Sequence, residues 1–320
     1  MNTNLILSAA AVLALCPLLH AQTAPALPAP PTSPAAATPA AAAPAASLVT
    51  LRYKFAVGQV RRYEYDMGMN MMMQTGQTGG GIPMDMEMHM ITRQTVKSIR
   101  PTDGAATLST QVESMHMLRG GQEIPMPEAQ QTQMKQSFTL VMLPTGKVLS
   151  MTSPALSVMN APGMDFSKNM FSGTALLPDA AVKVGDTWNG IADAAAAGIQ
   201  TTFTATLMGI DQKNGATLAT IQQKQSGNID KTMTQGMPSA MSMHGQITGT
   251  ANQVFDTTAG AIQSATGTAG TDMTMTFAKA ADGTAPVGMP SAMKMNMQMK
   301  YTMTRLGDTS PNTLFTAPVQ

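Results

Sequence analysis

"MKMNMQMKYTMTR", residues 293–305, decides how this chain is read. It places methionine at every second position from Met293 to Met299, and again at Met303. The residues between them, Lys294, Asn296, Gln298 and Lys300, are polar. Successive side chains of a β-strand point to opposite faces, so this alternation predicts a strand with one dry and one wet side. A near-copy, "MDMEMHMITR" at 84–93, repeats the pattern with Asp85, Glu87 and His89 on the wet side.

Period-two alternation continues outward from both stretches. "VRRYEYDMGMNMMM" (60–73) and "MDMEMHMITRQTVKSI" (84–99) flank the glycine-rich "QTGQTGGGIP" and predict a long hairpin. "VKSIRPTDGAATLSTQV" (96–112) matches "TLMGIDQKNGATLATIQQ" (206–223), each a strand, an Asp-Gly or Asn-Gly turn and a strand. "VMLPTGKVLSMT" (141–152) matches "VFDTTAGAIQSAT" (254–266) in the same way. The step from Gly104 to Gly146 nearly equals that from Gly215 to Gly260. "FAVGQVRRYEY" and "VKVGDTWNG" would open the two copies, with a hairpin lost or shortened in the second. The predicted class is therefore mainly β: two related antiparallel lobes with curved, incompletely closed sheets, spanning 48–170 and 171–320. Only 126–136 and 154–171 read as partly helical.

The N-terminus predicts export. "LILSAAAVLALCPLL" is apolar but short for a membrane span, and Ala21 offers a cleavage point, so 1–21 reads as a signal peptide. The alternative is a lipid anchor through Cys16, which Leu15 and Pro17 disfavour. Cys16 is the single cysteine, so cleavage after Ala21 would leave none for a disulfide, a thiolate metal site or a nucleophile. Residues 22–47 are rich in Pro and Ala without a charge or an aromatic, which predicts a disordered linker. With 12% charged residues and a formal net charge of +1, the chain has no electrostatic footprint for nucleic acid. No later stretch is long enough for a transmembrane helix, so a soluble body in the periplasm or cell envelope is expected.

The opening "LRYKFAVGQVRRYEY", the central "LLPDAAVKVGDTW" and the strand pairs across "DG" resemble a group of exported bacterial proteins of two-lobed, β-rich build. Those are distantly similar to periplasmic lipoprotein-carrier folds. The resemblance implies a curved sheet and brings no catalytic residues with it. This chain differs in carrying methionine where such strands hold Val, Ile or Thr.

The residues offer little reaction chemistry. Past the leader the histidines are His89, His116 and His244, and no nucleophile elbow, HExxH helix, P-loop or dinucleotide fingerprint occurs. The expectation is a protein that is not an enzyme and uses no cofactor. Thioethers are soft ligands for Cu(I), and "MHM" occurs at 88–90 and 115–117. On a strand, however, His89 points away from Met88 and Met90, so no metal site is assigned; a Cu(I)-binding periplasmic role stays as an alternative.

Methionine has low β propensity and an adaptable side chain, which suits a surface meeting varied apolar partners. The leading expectation is that the Met faces of 67–73, 84–90, 241–243, 273–275 and 293–303 meet on the concave side of a curved sheet. There they would bind a lipid or other apolar ligand. The candidate residues are Met69, Met71, Met86, Met88, Met295, Met297, Met299 and Tyr301. The alternative is a structural or partner-binding envelope module with a Met-rich core. Trp188 is expected to be a core anchor, with ligand stacking as the alternative; Tyr63, Tyr65 and Tyr301 share parity with the Met faces and are expected to pack with them, and Lys54, Arg61 and Arg62 to be solvated.

Overall fold

The computed structural model describes residues 48–75, 81–128, 131–132, 135–152, 176–194, 199–233, 241–277 and 292–309. The expected signal peptide, linker, lobe boundary and helical stretch at 154–171 lie outside the described residues.

Strands β1 (Val60–Thr75), β2 (Gly81–Ile99), β3 (Ala106–Arg119), β4 (Gln122–Glu123), β5 (Phe138–Met142) and β6 (Val148–Thr152) make the first half. The second half holds β7 (Thr187–Ala194), β8 (Ile199–Lys213), β9 (Ala216–Met233), β10 (Met241–Asp256), β11 (Ala261–Phe277) and β12 (Ala292–Thr309). All join one sheet in the order β6-β5-β3-β2-β1-β12-β11-β10-β9-β8-β7, with β4 attached to β3 alone. Every pairing is antiparallel. The antiparallel, incompletely closed fold expected from the alternation is what the chain forms. Its halves meet edge to edge at the β1–β12 seam, and β6 and β7 are the two ends.

The landmark glycines lie at one end of this sheet, the base. Gly58, Gly104, Gly146, Gly185, Gly215 and Gly260 all have positive φ, between 62° and 92°. Asn214 (φ 53°) and Gly215 (φ 78°) give the paired left-handed residues of a type I′ hairpin. The second opening hairpin is shortened, since β7 has 8 residues against 16 in β1. In the 126–136 region residues 128, 131 and 132 are helical, with Gln131 N donating to Pro127 O and Lys135 N to Gln131 O.

Residues 49–59 cross the base as a plug. Val49 bridges Val182, Tyr53 N donates to Pro144 O, Lys54 N to Gly260 O, and Gly58 N to Val96 O. Leu51 (0% exposed) and Tyr53 are thereby pressed into a core built from Leu108, Leu140, Met151, Leu207, Ile221 and Phe255 among others. That cluster takes in β6 at one end of the sheet and β8 near the other, so the sheet is rolled around it. Trp188 packs on this core and donates its indole N–H to Leu176 O at 2.7 Å, as a core anchor should. A Cβ at Gly260 would sit 2.4 Å from the Lys54 backbone N, at a φ of +62°. Gly260→Ala is therefore expected to cost at least about 1–3 kcal/mol from the φ alone, plus loss of the plug's docking. Chemical denaturation with Trp188 fluorescence would measure it.

Arg61 corrects the sequence expectation of a solvated residue: it is 1% exposed. The base of the sheet brings several plug and turn carbonyls together, and a guanidinium has donors enough to satisfy several. Arg61 donates to the carbonyls of Lys54 and Ala259 and to Gln59 Oε1, and lies 5.7 Å from the Phe55 ring centroid. Its Nε is 3.8 Å from Asp308, and Arg305 Nε is 3.9 Å from the same carboxylate. Arg305 also donates to Asp256 (3.0 Å) and to Gln263 (2.8 Å). Two arginines and two aspartates thus pin the base of the seam. Arg62, by contrast, is exposed as expected and pairs with Glu113 at 2.6 Å.

Candidate functional site

Strand pleating sorts the side chains of the roll. Odd-numbered residues of β9 to β12 face inward and even-numbered ones outward, as the buried Ile221, Ile247, Met273 and Met297 show. The outer face carries Asp66 and Asn70 on β1, Asp85 and Glu87 on β2, and Lys294, Asn296 and Lys300 on β12. Polar outside and apolar inside is the reverse of a transmembrane barrel, whose lipid-facing side is apolar. Among the described residues, no helix is long and apolar enough to cross a membrane.

Register brings the inward methionines abreast. Met117, Met88 and Met67 are cross-strand neighbours and lead on to Tyr301. The next row is Met86, Met69 and Met299, and the next Met84, Met71 and Met297. Beyond it Met73, Met295 and Met273 align, then Met293, Met275 and Met243. Directly opposed residues have Cβ atoms about 4.5–5.5 Å apart, so these side chains form one continuous thioether surface. All eight candidate residues face inward in these rows. Met72 points outward, because "MMM" at 71–73 must alternate, and it is 39% exposed.

Burial divides the candidates in two. Met71, Met295, Met297 and Met299 are buried, and the first two pack with Ile229, Ile247 and Met273 in a second apolar cluster near the loop end. These four behave as core. Met69, Met86, Met88 and Tyr301 are only half-buried, as are Met67, Met90, Met115 and Met117 around them. The open part of the methionine surface thus lies on β1, β2 and the upper half of β3. Among the described residues, the strand pairing of β3 beyond Thr110 on its far side is with the two-residue β4 alone. Tyr301 lies across Gly267, where a Cβ would come within 2.5 Å of its ring.

Tyr65, at the lower margin of this wall, was not among the sequence candidates. It is half-buried, with Met90 and Met303 as its neighbours in register. Burial pushes its phenol well above the ordinary 10.0; Tyr63 beside it adds to this, and a hydrogen bond with Thr92 opposes it. Tyr63 is also raised, chiefly by burial. A raised phenol stays protonated in the folded chain after the unfolded chain has lost its proton, so stability falls as pH rises above about 10. Tyr65→Phe should flatten that fall, as measured by denaturation at pH 8 to 11.

A polar belt interrupts the inner face on β9 to β11. On β9, Gln223 and Gln225 stand between Ile221 of the base core and Ile229 of the loop-end cluster. On β10, Gln253 is followed upward by Ala251 and Gly249, and on β11 Ala265, Gly267 and Ala269 lead to Thr271. Gln223, Gln225, Gln253 and Thr271 are all at most 6% exposed. Gln253 Nε2 reaches Gln223 Oε1 at 3.4 Å, while Gln225 Nε2, Gln253 Oε1 and Thr271 Oγ1 have no partner among the described residues. The sequence signal was available: glutamine at the odd positions 223 and 225, between the apolar Ala219 and Ile221 and the apolar Ile229 of the same register.

The imidazoles lie on the other side of the sheet. His89 is 2.7 Å from Asp66 and 3.7 Å from Glu64 on the outer face, away from the sulfurs of Met88 and Met90. His116 pairs with Glu123 and His244 with Asp230, each at 3.1 Å. Among the described residues no three His, Cys, Asp or Glu side chains are grouped to hold a metal ion. A shallow hollow of about 430 Å³ lies mostly on the outer face, lined by residues including Met72, His244, Asp272 and Asn296. Its lining also takes in Met273 and Met295 of the loop-end cluster, but none of the half-buried wall residues.

No family model matches the chain. No curated protein matches it either. Similar solved structures include one of lipid–protein interactions in lipovitellin, with 10% identity and a TM-score of 0.43, covering 83% of this chain and 26% of that one. This chain therefore spans about a quarter of that protein's length. Others are a proposed outer membrane lipoprotein-sorting protein domain from Vibrio parahaemolyticus (8% identity, TM-score 0.14, covering 79% of this chain and 87% of that one) and a DUF1329 family protein from Desulfovibrio piger (7% identity, TM-score 0.14, covering 80% and 91%). The scores are low for all three.

Proposed function

We propose that this chain is an exported, non-catalytic protein of the cell envelope whose rolled sheet holds an apolar ligand, such as a lipid acyl chain, against the half-buried methionine wall. One observation carries the reading. Inside a sheet with a polar outer face, the wall of Met67, Met69, Met86, Met88, Met90 and Met117 keeps accessible surface, while the opposite end of the same rows is buried. An apolar surface left open is a cost that a guest would remove, at about 25 cal/mol for each Å² it covers. Unbranched thioethers re-pack around guests of differing shape more readily than Val or Ile would. Export rests on the N-terminal pattern of 1–21, and the linker 22–47 suits a domain held off a surface. Absence of catalysis rests on the sequence, which offers no nucleophile, base and orienter in a recognisable set.

The test is binding of the neutral apolar fluorophore N-phenyl-1-naphthylamine to the purified chain. Micromolar binding is expected, weakened about tenfold or more in Met86→Ser/Met88→Ser, since each thioether's burial is worth roughly 1.5–3 kcal/mol when complete. No binding, or binding that the double variant leaves unchanged, would remove the site from this wall and favour a purely structural Met core.

A further inference from the structure

The sequence holds 32 methionines and one cysteine, Cys16, so among the described residues every sulfur is a thioether. A thioether is apolar, yet its sulfur is oxidisable, and the sulfoxide that forms is polar. In an ordinary core, burial prevents this reaction, or the reaction ruins the packing. This chain instead sorts its thioethers by access within single cross-strand rows. Met86 and Met69 are half-buried, while Met299 of the same row is 6% exposed. In the next row Met84 is half-buried, and its neighbours Met71 and Met297 are 3% and 1% exposed. The closed sulfurs of Met71, Met273 and Met295 pack with Ile229 and Ile247. The open ones of Met67, Met69, Met86, Met88, Met90 and Met117 belong to neither apolar cluster. Packing therefore rests on sulfurs that solvent does not reach, and the accessible ones stand outside it.

We propose that the half-buried wall is a site of methionine oxidation in the folded chain, and that turning its thioethers into sulfoxides expels the apolar guest. The co-reactant is a two-electron oxidant of the peroxide class. With hydrogen peroxide, the sulfur lone pair attacks one oxygen, and the S–O bond forms as the O–O bond breaks. Sulfur loses two electrons, the peroxide gains them, and its other oxygen leaves as water with both protons. The new sulfoxide oxygen is a hydrogen-bond acceptor on a surface whose cross-strand neighbours are other methionines. An apolar guest lying over it would leave it unpaired and dry. Expulsion rests on the reading of the wall as a ligand surface, whereas the site of oxidation rests on burial alone.

The experiment treats the purified chain with dilute hydrogen peroxide and maps each sulfoxide by peptide mass spectrometry. Met86 and Met88 should oxidise at least about tenfold faster than Met297, because susceptibility follows exposure. The circular dichroism spectrum should hold while they do so. Over the same interval, affinity for N-phenyl-1-naphthylamine should fall about tenfold, the effect of one unpaired acceptor under the guest. Met86→Leu/Met88→Leu keeps an apolar wall without those sulfurs, so its own affinity, whatever its starting value, should fall less than about threefold on treatment. Met72→Leu, on the outer face, should lose as much as the wild type. Equal oxidation of Met88 and Met297, or unfolding in step with the sulfoxides, would overturn the site. Sulfoxides at Met86 and Met88 with the fluorophore bound as before would overturn the expulsion. An untreated chain that binds no fluorophore would remove the ligand reading and expulsion with it, while the sulfoxide map would still decide the site.

Discussion

Arg305→Ala is expected to lower the unfolding free energy by about 3–5 kcal/mol, because it strips the partner from a buried carboxylate. The Arg305 and Asp256 side chains are only 11% and 9% exposed, and they meet at 3.0 Å. Asp256 keeps the backbone N–H groups of Thr258 and Ala259 as donors, at 2.9 Å each, but loses its counter-charge. The same substitution frees Gln263 and removes one of two arginines beside Asp308. The network joins β12 to the β10–β11 turn and to the plug, so the loss falls where the first and last strands meet. A domain stable by the usual 5–15 kcal/mol would be left marginal. Urea titration followed by Trp188 fluorescence would measure it. A cost below about 1 kcal/mol would show that the network contributes little to closing the seam.

Met297→Ala and Met88→Ala should separate the two kinds of inward methionine. Met297 is 1% exposed, and truncating it should cost about 2–5 kcal/mol through lost burial and the cavity left behind. Met88 lies one row nearer the base than Met69 and Met86 and is half-buried, so its truncation should cost under about 1.5 kcal/mol. Binding should respond in the opposite order: N-phenyl-1-naphthylamine affinity should fall for Met88→Ala and hold for folded Met297→Ala. Equal stability losses at the two positions would mean that the wall is ordinary core.

The strands were legible because methionine alternates with charge. In "MKMNMQMK" and "MDMEMHM" the two faces differ so sharply that a slip of one residue would bury Lys294 or Asp85. The base turns were legible because glycine is the residue that occupies positive φ without strain, and the six landmark glycines all do so. What the alternation could not convey was which inward residues are covered. Met297 and Met88 carry the same pattern in sequence, and only the rolling of the sheet buries one and leaves the other open. Arg61 was misread for a related reason. Two adjacent arginines look solvated, but strand parity sends Arg61 inward, where the plug's carbonyls collect it, and Arg62 outward. The glutamine belt was visible as odd-numbered polar residues, but its burial, like that of Met297, follows from the rolling of the sheet.

The central claim is that the half-buried methionine wall holds an apolar ligand. Native mass spectrometry of the full chain, purified from its own cell envelope without detergent exchange, tests it most directly. The account predicts a co-purifying lipid or other apolar molecule at near one per chain. That molecule should be lost in folded Met86→Ser/Met88→Ser and retained in Met72→Ser, whose side chain points outward. A wild-type chain that is free of ligand in its own envelope, and that takes up none when lipid vesicles are added, would contradict it.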